Sequence, residues 1–160
     1  MTPFDLKPKE EWEQILARFA GQIEMTACLT DETGTQPLCH GERYPLCAAV
    51  KDNPQATTFI CSQTNTAMLA VVKKTLAPEI DLCEAGLIRV VVPVVREGRL
   101  VGQIFACGLA PTDEELDPFL VARQLGVPED RVGELARSTP ARSEEEIRPL
   151  VDSLFNELNP

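Results

Sequence analysis

The residues of this chain best equipped for chemistry are six cysteines: Cys28, Cys39, Cys47, Cys61, Cys83 and Cys107. Thiolates hold zinc or iron–sulfur clusters. They act as nucleophiles where their pKa is depressed, and they pair as disulfides in oxidising compartments. Cys39, Cys47, Cys61 and Cys83 fall in an irregular loop, at the starts of two helical patterns and just before an apolar strand. Four ligands drawn from those places can meet at one end of a sheet. The intervals between them are 7, 13 and 21 residues, so no pair has the short C-x₂₋₄-C spacing that marks most zinc sites. A bound zinc or iron–sulfur centre, inert burial as small hydrophobes and a redox disulfide therefore all stay open. Cys28 and Cys107 lie inside strand patterns and read as packing residues. His40, the only histidine, reads as a loop surface residue.

Other catalytic constellations are missing. There is no Ser-His-Asp set, no phosphate-cradling glycine loop and no HExxH. One enzymatic alternative survives, a cysteine-dependent reductase of a small sulfoxide, with Cys47, Cys61 and Cys83 as candidate thiols. The first reading is a non-enzyme.

The chain has 160 residues, 44% of them hydrophobic, which suits one domain with a real core. Net charge is −10, and there is no basic run, so no nucleic-acid surface is expected. The acidity is uneven: residues 111–160 carry 12 acids against 5 bases, which reads as solvated helix faces. No apolar stretch reaches the roughly 18 residues of a membrane span, and the N-terminus lacks an apolar signal core. The expectation is a cytoplasmic protein with no membrane partner, in which a disulfide framework is not the default.

The elements that must position these residues follow from periodicity. Trp12, Ile15, Leu16 and Phe19 form a helical stripe ended by Gly21. "QIEMTACLT" alternates, with Ile23, Met25, Ala27 and Leu29 toward the core and Glu24, Thr26, Cys28 and Thr30 on the other face. Residues 31–34 make a turn, and residues 35–54 a loop with one short helix after Pro45. Ile60, Thr64, Ala67, Met68, Val71 and Val72 form a second helical stripe, stopped by Pro78.

Two strands near 87–95 and 100–108 flank Glu97-Gly98 and predict a hairpin. The first of them has no polar face along its valines, so it belongs inside the sheet. Asp117-Pro118 opens a helix that Gly126 closes, and Pro128 starts another with Val132, Leu135 and Ala136. Ser143 and Glu146 form a capping box before Ile147, Leu150, Val151, Leu154, Phe155 and Leu158. That last stripe is expected to pack on the domain's own core rather than on a partner. The order predicts a single α+β domain over 1–160, its core about 10–110 and its C-terminal helices 113–158. Its architecture is a PAS/GAF-like antiparallel sheet with a central hairpin flanked by helices.

The hairpin carries a family resemblance. Cys83, Gly86 and Leu87, then Pro93, Gly98 and Gly102, resemble the PocR sensory domain, a bacterial PAS-like ligand-binding module. Cys47 and Cys61 match the spacing of two further cysteines of that family. Cys39 falls outside the pattern, and Glu84 stands where a basic or aromatic residue is expected. The resemblance covers roughly residues 10–155. It implies a sensor that holds a small hydrocarbon derivative such as a diol between the sheet and its covering helices. No helix-turn-helix or kinase accompanies it here, so signalling is expected to pass through a separate protein, with a homodimer allowed. Such a site needs a mostly apolar cavity with a few polar handles. Thr26, Thr30, Glu84, Arg89 and Gln103 are the candidates, each otherwise an ordinary hairpin or surface residue. Cys83, before the turn at Gly86 and beside Asp81 and Glu84, is expected in the site, and Cys107 in the core.

Overall fold

The computed structural model describes residues 1–35 and 38–160. The first helical stripe forms α2 (Lys9–Ile23), after a short α1 (Pro3–Leu6). The helix runs through Gly21 and ends at Glu24, which takes the left-handed conformation with φ 60°. Apolar burial on both sides of Gly21, at Ala20 and Ile23, outweighs the terminating preference of the glycine.

Six strands follow: β1 (Thr26–Asp31), β2 (Leu38–His40), β3 (Glu79–Leu82), β4 (Ile88–Arg96), β5 (Arg99–Pro111) and β6 (Ala141–Arg142). The first five form an open antiparallel sheet in the order β2-β1-β5-β4-β3. β6 adds a two-residue parallel pairing to the end of β5. The α+β, PAS/GAF-like sheet with its central hairpin is thus as expected, and β4 is interior, paired on both sides. The strands β2 and β3 were not expected. They are only three and four residues long, too short for alternation to show.

The β4–β5 hairpin turns at Glu97 and Gly98, both with positive φ (51° and 72°), between the paired Arg96 and Arg99. That is the two-residue turn whose twist matches the strands. Pro93 lies inside β4 beside a register shift at Val94/Val95, which accommodates its missing N–H. Gly102 is required for a different reason. A Cβ there would meet the Thr30 carbonyl oxygen and Pro3 Cγ at 2.5 Å each.

The helices cover both faces. α8 (Glu144–Leu158) starts at the Ser143–Glu146 capping box and lays Ile147, Val151, Leu154 and Leu158 onto the sheet with α2. Its own-core packing is therefore as read from sequence. Asn159 ties its end to β4, accepting from Val95 N–H and donating to the Pro93 carbonyl. This first core takes Ala27, Leu29, Val90, Val92, Val94, Ile104 and Ala106 from the sheet.

The opposite face is covered by α3 (Pro45–Lys51), α4 (Pro54–Ala56), a π-helical turn (Thr57–Ser62) and α5 (Gln63–Thr75). In α5 the buried residues are Thr64, Met68 and Val72. Ala67 and Val71 of the expected stripe are exposed, because only the row at every fourth position, Thr64, Met68 and Val72, is buried. A second core joins Leu46, Val50, Ile60, Ala85 and Leu87 to α6 (Pro118–Leu125) and α7 (Glu129–Ala136).

One pairing corrects the sequence reading outright. Cys28 and Cys39 face each other across β1 and β2 and form a disulfide, with Cα atoms 4.0 Å apart. Cys39 is therefore no ligand of a thiolate site, and Cys28 is not merely a packing residue. Their separation of eleven positions hid a direct cross-strand pair because β2 was not visible in the sequence.

Candidate functional site

The site grows from the second face of the sheet. Side chains of directly paired residues share a face, and the register gives three rows. Thr26, Cys107 and Arg89 form the first; Cys28, Phe105 and Val91 the second; Thr30, Gln103 and Pro93 the third. The helical cover buries this face as completely as the apolar one. Yet it carries two threonines, an arginine and a glutamine, all buried.

Each of the four has a buried atom without a partner. Thr26 Oγ1, Thr30 Oγ1, Arg89 Nε and Gln103 Oε1 have no hydrogen-bond partner, nor does Asn65 Oδ1 on the covering α5. Buried polar groups are normally paired, since an unmade bond costs about 1–3 kcal/mol. Three of the five residues, Arg89, Gln103 and Asn65, border one space between the sheet and α5.

Arg89 stands at its centre. Its residue surface is 3% exposed, and its guanidinium carbon sits 4.1 Å from the centre of the Phe105 ring. No acidic side chain among the described residues pairs with it. Burial pushes its pKa below the usual value, opposed by the neighbouring thiols of Cys107, Cys61 and Cys83. An arginine stays protonated under such a shift.

Two cavities meet at this arginine. One, of about 220 Å³, is lined by Gln103 and Phe105 from β5, Ser62, Asn65, Thr66 and Leu69 from the cover, and Thr33 and Gly34 from the loop after β1. The other is narrow, about 30 Å³, and mostly apolar. It is lined by Cys47 and Val50 of α3, Ile60 and Cys61 of the π turn, Cys83, Leu87 and Cys107. Four free thiols thus converge from four segments. Cys47 Sγ lies against the β5 backbone, 3.3 Å from where a methyl at Gly108 would stand.

The thiols Cys47 and Cys83 are both pushed up from the ordinary value of 9.0, first by burial. Neighbouring thiols add to the rise at Cys47, while backbone hydrogen bonds from Leu87 and Ala85 oppose it at Cys83. As they stand they are neutral thiols, the reverse of an activated nucleophile. Among the described residues no three His, Cys, Asp or Glu side chains are arranged to hold a metal ion.

The sequence candidates therefore divide. Thr26, Thr30, Arg89 and Gln103 lie on one buried face, and Cys47, Cys61 and Cys83 share one cavity. Glu84 does not join them. It is exposed in the tight turn closed by Gly86 N–H to the Cys83 carbonyl, and lines neither cavity. Cys107, expected in the core, lines the thiol cavity instead, because its row places it between Thr26 and Arg89. Asn65, Ser62 and Thr66 were missed, hidden within a helical stripe read for its apolar members. The two-residue alternation of Gln103, Phe105 and Cys107 was a signal that could have found Cys107.

Comparison with known proteins follows from this geometry. The family model described as "Sensory domain found in PocR" matches residues 5–159. Among curated proteins no sequence matches significantly. Among solved structures, the GAF domain/HD domain protein from Geobacter sulfurreducens is similar at 14% identity and TM-score 0.43, over 93% of this chain and 91% of that one. An IclR transcriptional regulator from Alicyclobacillus acidocaldarius is similar at 10% identity and TM-score 0.39, over 83% and 68%.

Proposed function

This chain belongs to the family of the sensory domain found in PocR, and from that premise we propose that it binds a small organic molecule between its sheet and the α3–α5 cover. The observation that carries the reading is the set of buried, unpartnered polar atoms on Arg89, Gln103 and Asn65, which border one cavity, with Thr26 and Thr30 on the same buried face. A sensor needs polar handles in a mostly apolar recess, and needs the cover to respond to what lies beneath it. Here the cover contains a π turn between α4 and α5, a helical irregularity frequent at functional sites. A short hydrocarbon derivative with one or two polar groups, a diol being the simplest, fits a recess of this size. Occupancy would be transmitted through the cover to a separate signalling protein.

The test is a thermal-shift screen of the purified chain with C2–C4 alcohols, diols and acids. A saturable rise in Tm for at least one compound, lost in Gln103→Leu, supports the reading. Failure of every compound to stabilise the wild type counts against it.

A second reading rests on the four thiols. Cys47, Cys61, Cys83 and Cys107 supply the donor set of a zinc or iron–sulfur centre, provided the thiols close in from their present positions. Metal analysis and absorption spectra of protein purified without oxygen decide it. Stoichiometric metal lost in Cys83→Ser supports it, and metal-free protein that binds no added zinc excludes it. The sulfoxide-reductase alternative has less support, since burial holds Cys47 and Cys83 protonated.

A further inference from the structure

The ligand's chemical class can be read from the charges around the cavities, given that the interlayer space is a ligand site as proposed above. The chain carries 25 acidic residues against 15 basic ones. Not one of those acids lines either cavity, whereas Arg43, Lys51 and Arg89 do. A strongly acidic protein has kept its own anions out of this space. Arg43 and Lys51 line the thiol cavity, and Arg89 lies between the two.

Arg89 is buried and carries one full positive charge, with no carboxylate beside it among the described residues. Isolated buried charges are normally paired or neutralised, and arginine cannot be neutralised. The Phe105 face supplies part of the missing stabilisation. Its Nε–H, a donor lying in the plane that binds carboxylates bidentately, is left without an acceptor. The remaining orphaned atoms have the opposite character. Gln103 Oε1 and Asn65 Oδ1 are acceptors awaiting a donor, and Thr30 Oγ1 serves either role. Gln103 and Asn65 line the larger cavity together with Arg89.

We propose that this cavity takes a short carboxylate that also bears a hydroxyl group. The carboxylate lies on Arg89 and the hydroxyl donates toward Gln103 or Asn65. One buried cation matches one negative charge, which favours a monocarboxylate over a phosphate. The volume of about 220 Å³ holds a molecule of a few heavy atoms, below the roughly 300 Å³ at which drug-sized sites begin. Phe105 and Leu69 furnish the apolar wall for its short carbon chain.

Calorimetry on the whole chain, in carboxylate-free buffer, tests this with four probes: lactate, glycolate, propionate and 1,2-propanediol. Lactate or glycolate is expected to bind saturably. Removing the hydroxyl (propionate) or the carboxylate (propanediol) is expected to weaken binding about ten- to hundredfold, the size of one charged or buried hydrogen bond. Arg89→Met should abolish binding, and Arg89→Lys should restore part of it. Gln103→Leu should reduce the preference for lactate over propionate, and it serves as the check should Arg89→Met fail to fold. Propanediol binding as tightly as lactate overturns the anion assignment and leaves the ligand-site reading standing. Undiminished lactate binding by a folded Arg89→Met overturns it as well. Absence of binding by all four probes also overturns it, and the wider compound screen then judges the ligand-site reading separately.

Discussion

Replacing Arg89 by methionine should make the ligand-free protein more stable. The guanidinium is buried, its Nε has no partner, and no acid among the described residues pairs with it. The effective penalty for an uncompensated ion in a protein interior is several kcal/mol. Against this stand the contact with Phe105 at 4.1 Å, worth about 2 kcal/mol when desolvated, and a weak contact with the Cys107 sulfur. Methionine fills much of the arginine stem's volume and adapts to irregular gaps. The balance is a gain of about 1–3 kcal/mol. For a chain of this length each kcal/mol moves Tm by roughly 2–4 °C, so a rise of roughly 2–12 °C is expected. Differential scanning calorimetry in a buffer without acetate or citrate measures it, with urea unfolding as a second probe. A Tm that falls by several degrees would show that the fold itself satisfies Arg89, and the argument for a missing anion would collapse.

Val92→Asp should abolish folding, since Val92 is fully buried in the first core and an unpaired charge there costs several kcal/mol; a cooperative melt of the variant would contradict the packing. Alkylation in denaturant should label four cysteines before reduction and six after it, given one disulfide and four free thiols. Reduction should cost at most about 3 kcal/mol, the loop-closure value for cysteines eleven residues apart. Gly102→Ala should destabilise by about 1–3 kcal/mol, because the new methyl meets the Thr30 carbonyl at 2.5 Å and backbone cannot yield freely; unchanged urea midpoints would refute the close approach. Stability should also fall as pH rises past 9.0. Cys47 and Cys83 have raised pKa values in the fold, so they stay protonated while the unfolded chain ionises. The loss is up to about 1.4 kcal/mol per pH unit for each thiol, and Cys47→Ser should flatten the profile between pH 8 and 10.

What was legible in the sequence was whatever repeats over a long element. The stripe of α8, the capping box at Ser143 and the hairpin around Glu97-Gly98 each announce themselves through several residues of one period. The short strands β2 and β3 have no such redundancy, and missing β2 concealed the Cys28–Cys39 bond. Candidate residues were legible where polar types interrupt an apolar strand, and Thr26, Thr30, Arg89 and Gln103 do fall on one buried face. Such residues read equally as surface until the sheet is known to be covered on both faces. Cys107 was misplaced because its apolar neighbour Ala106 does lie in the first core, whereas the alternation through Phe105 and the pairing with Arg89 both put the sulfur on the other face. Glu84 shows the converse: closeness to Cys83 along the chain does not place it in the cavity, since the turn at Gly86 carries it outward.

The central claim is that the space between the sheet's polar face and α5 receives a small ligand. Titration of isotopically labelled protein with lactate, followed through the side-chain amide signals of Gln103 and Asn65, tests it most directly. The account predicts saturable shifts of both amides and of neighbouring signals from Phe105 and α5, with Ala27, Leu29 and Ala106 on the opposite face left unmoved. Saturable shifts confined to the exposed surface or to the opposite core, with Gln103 and Asn65 silent, would contradict it.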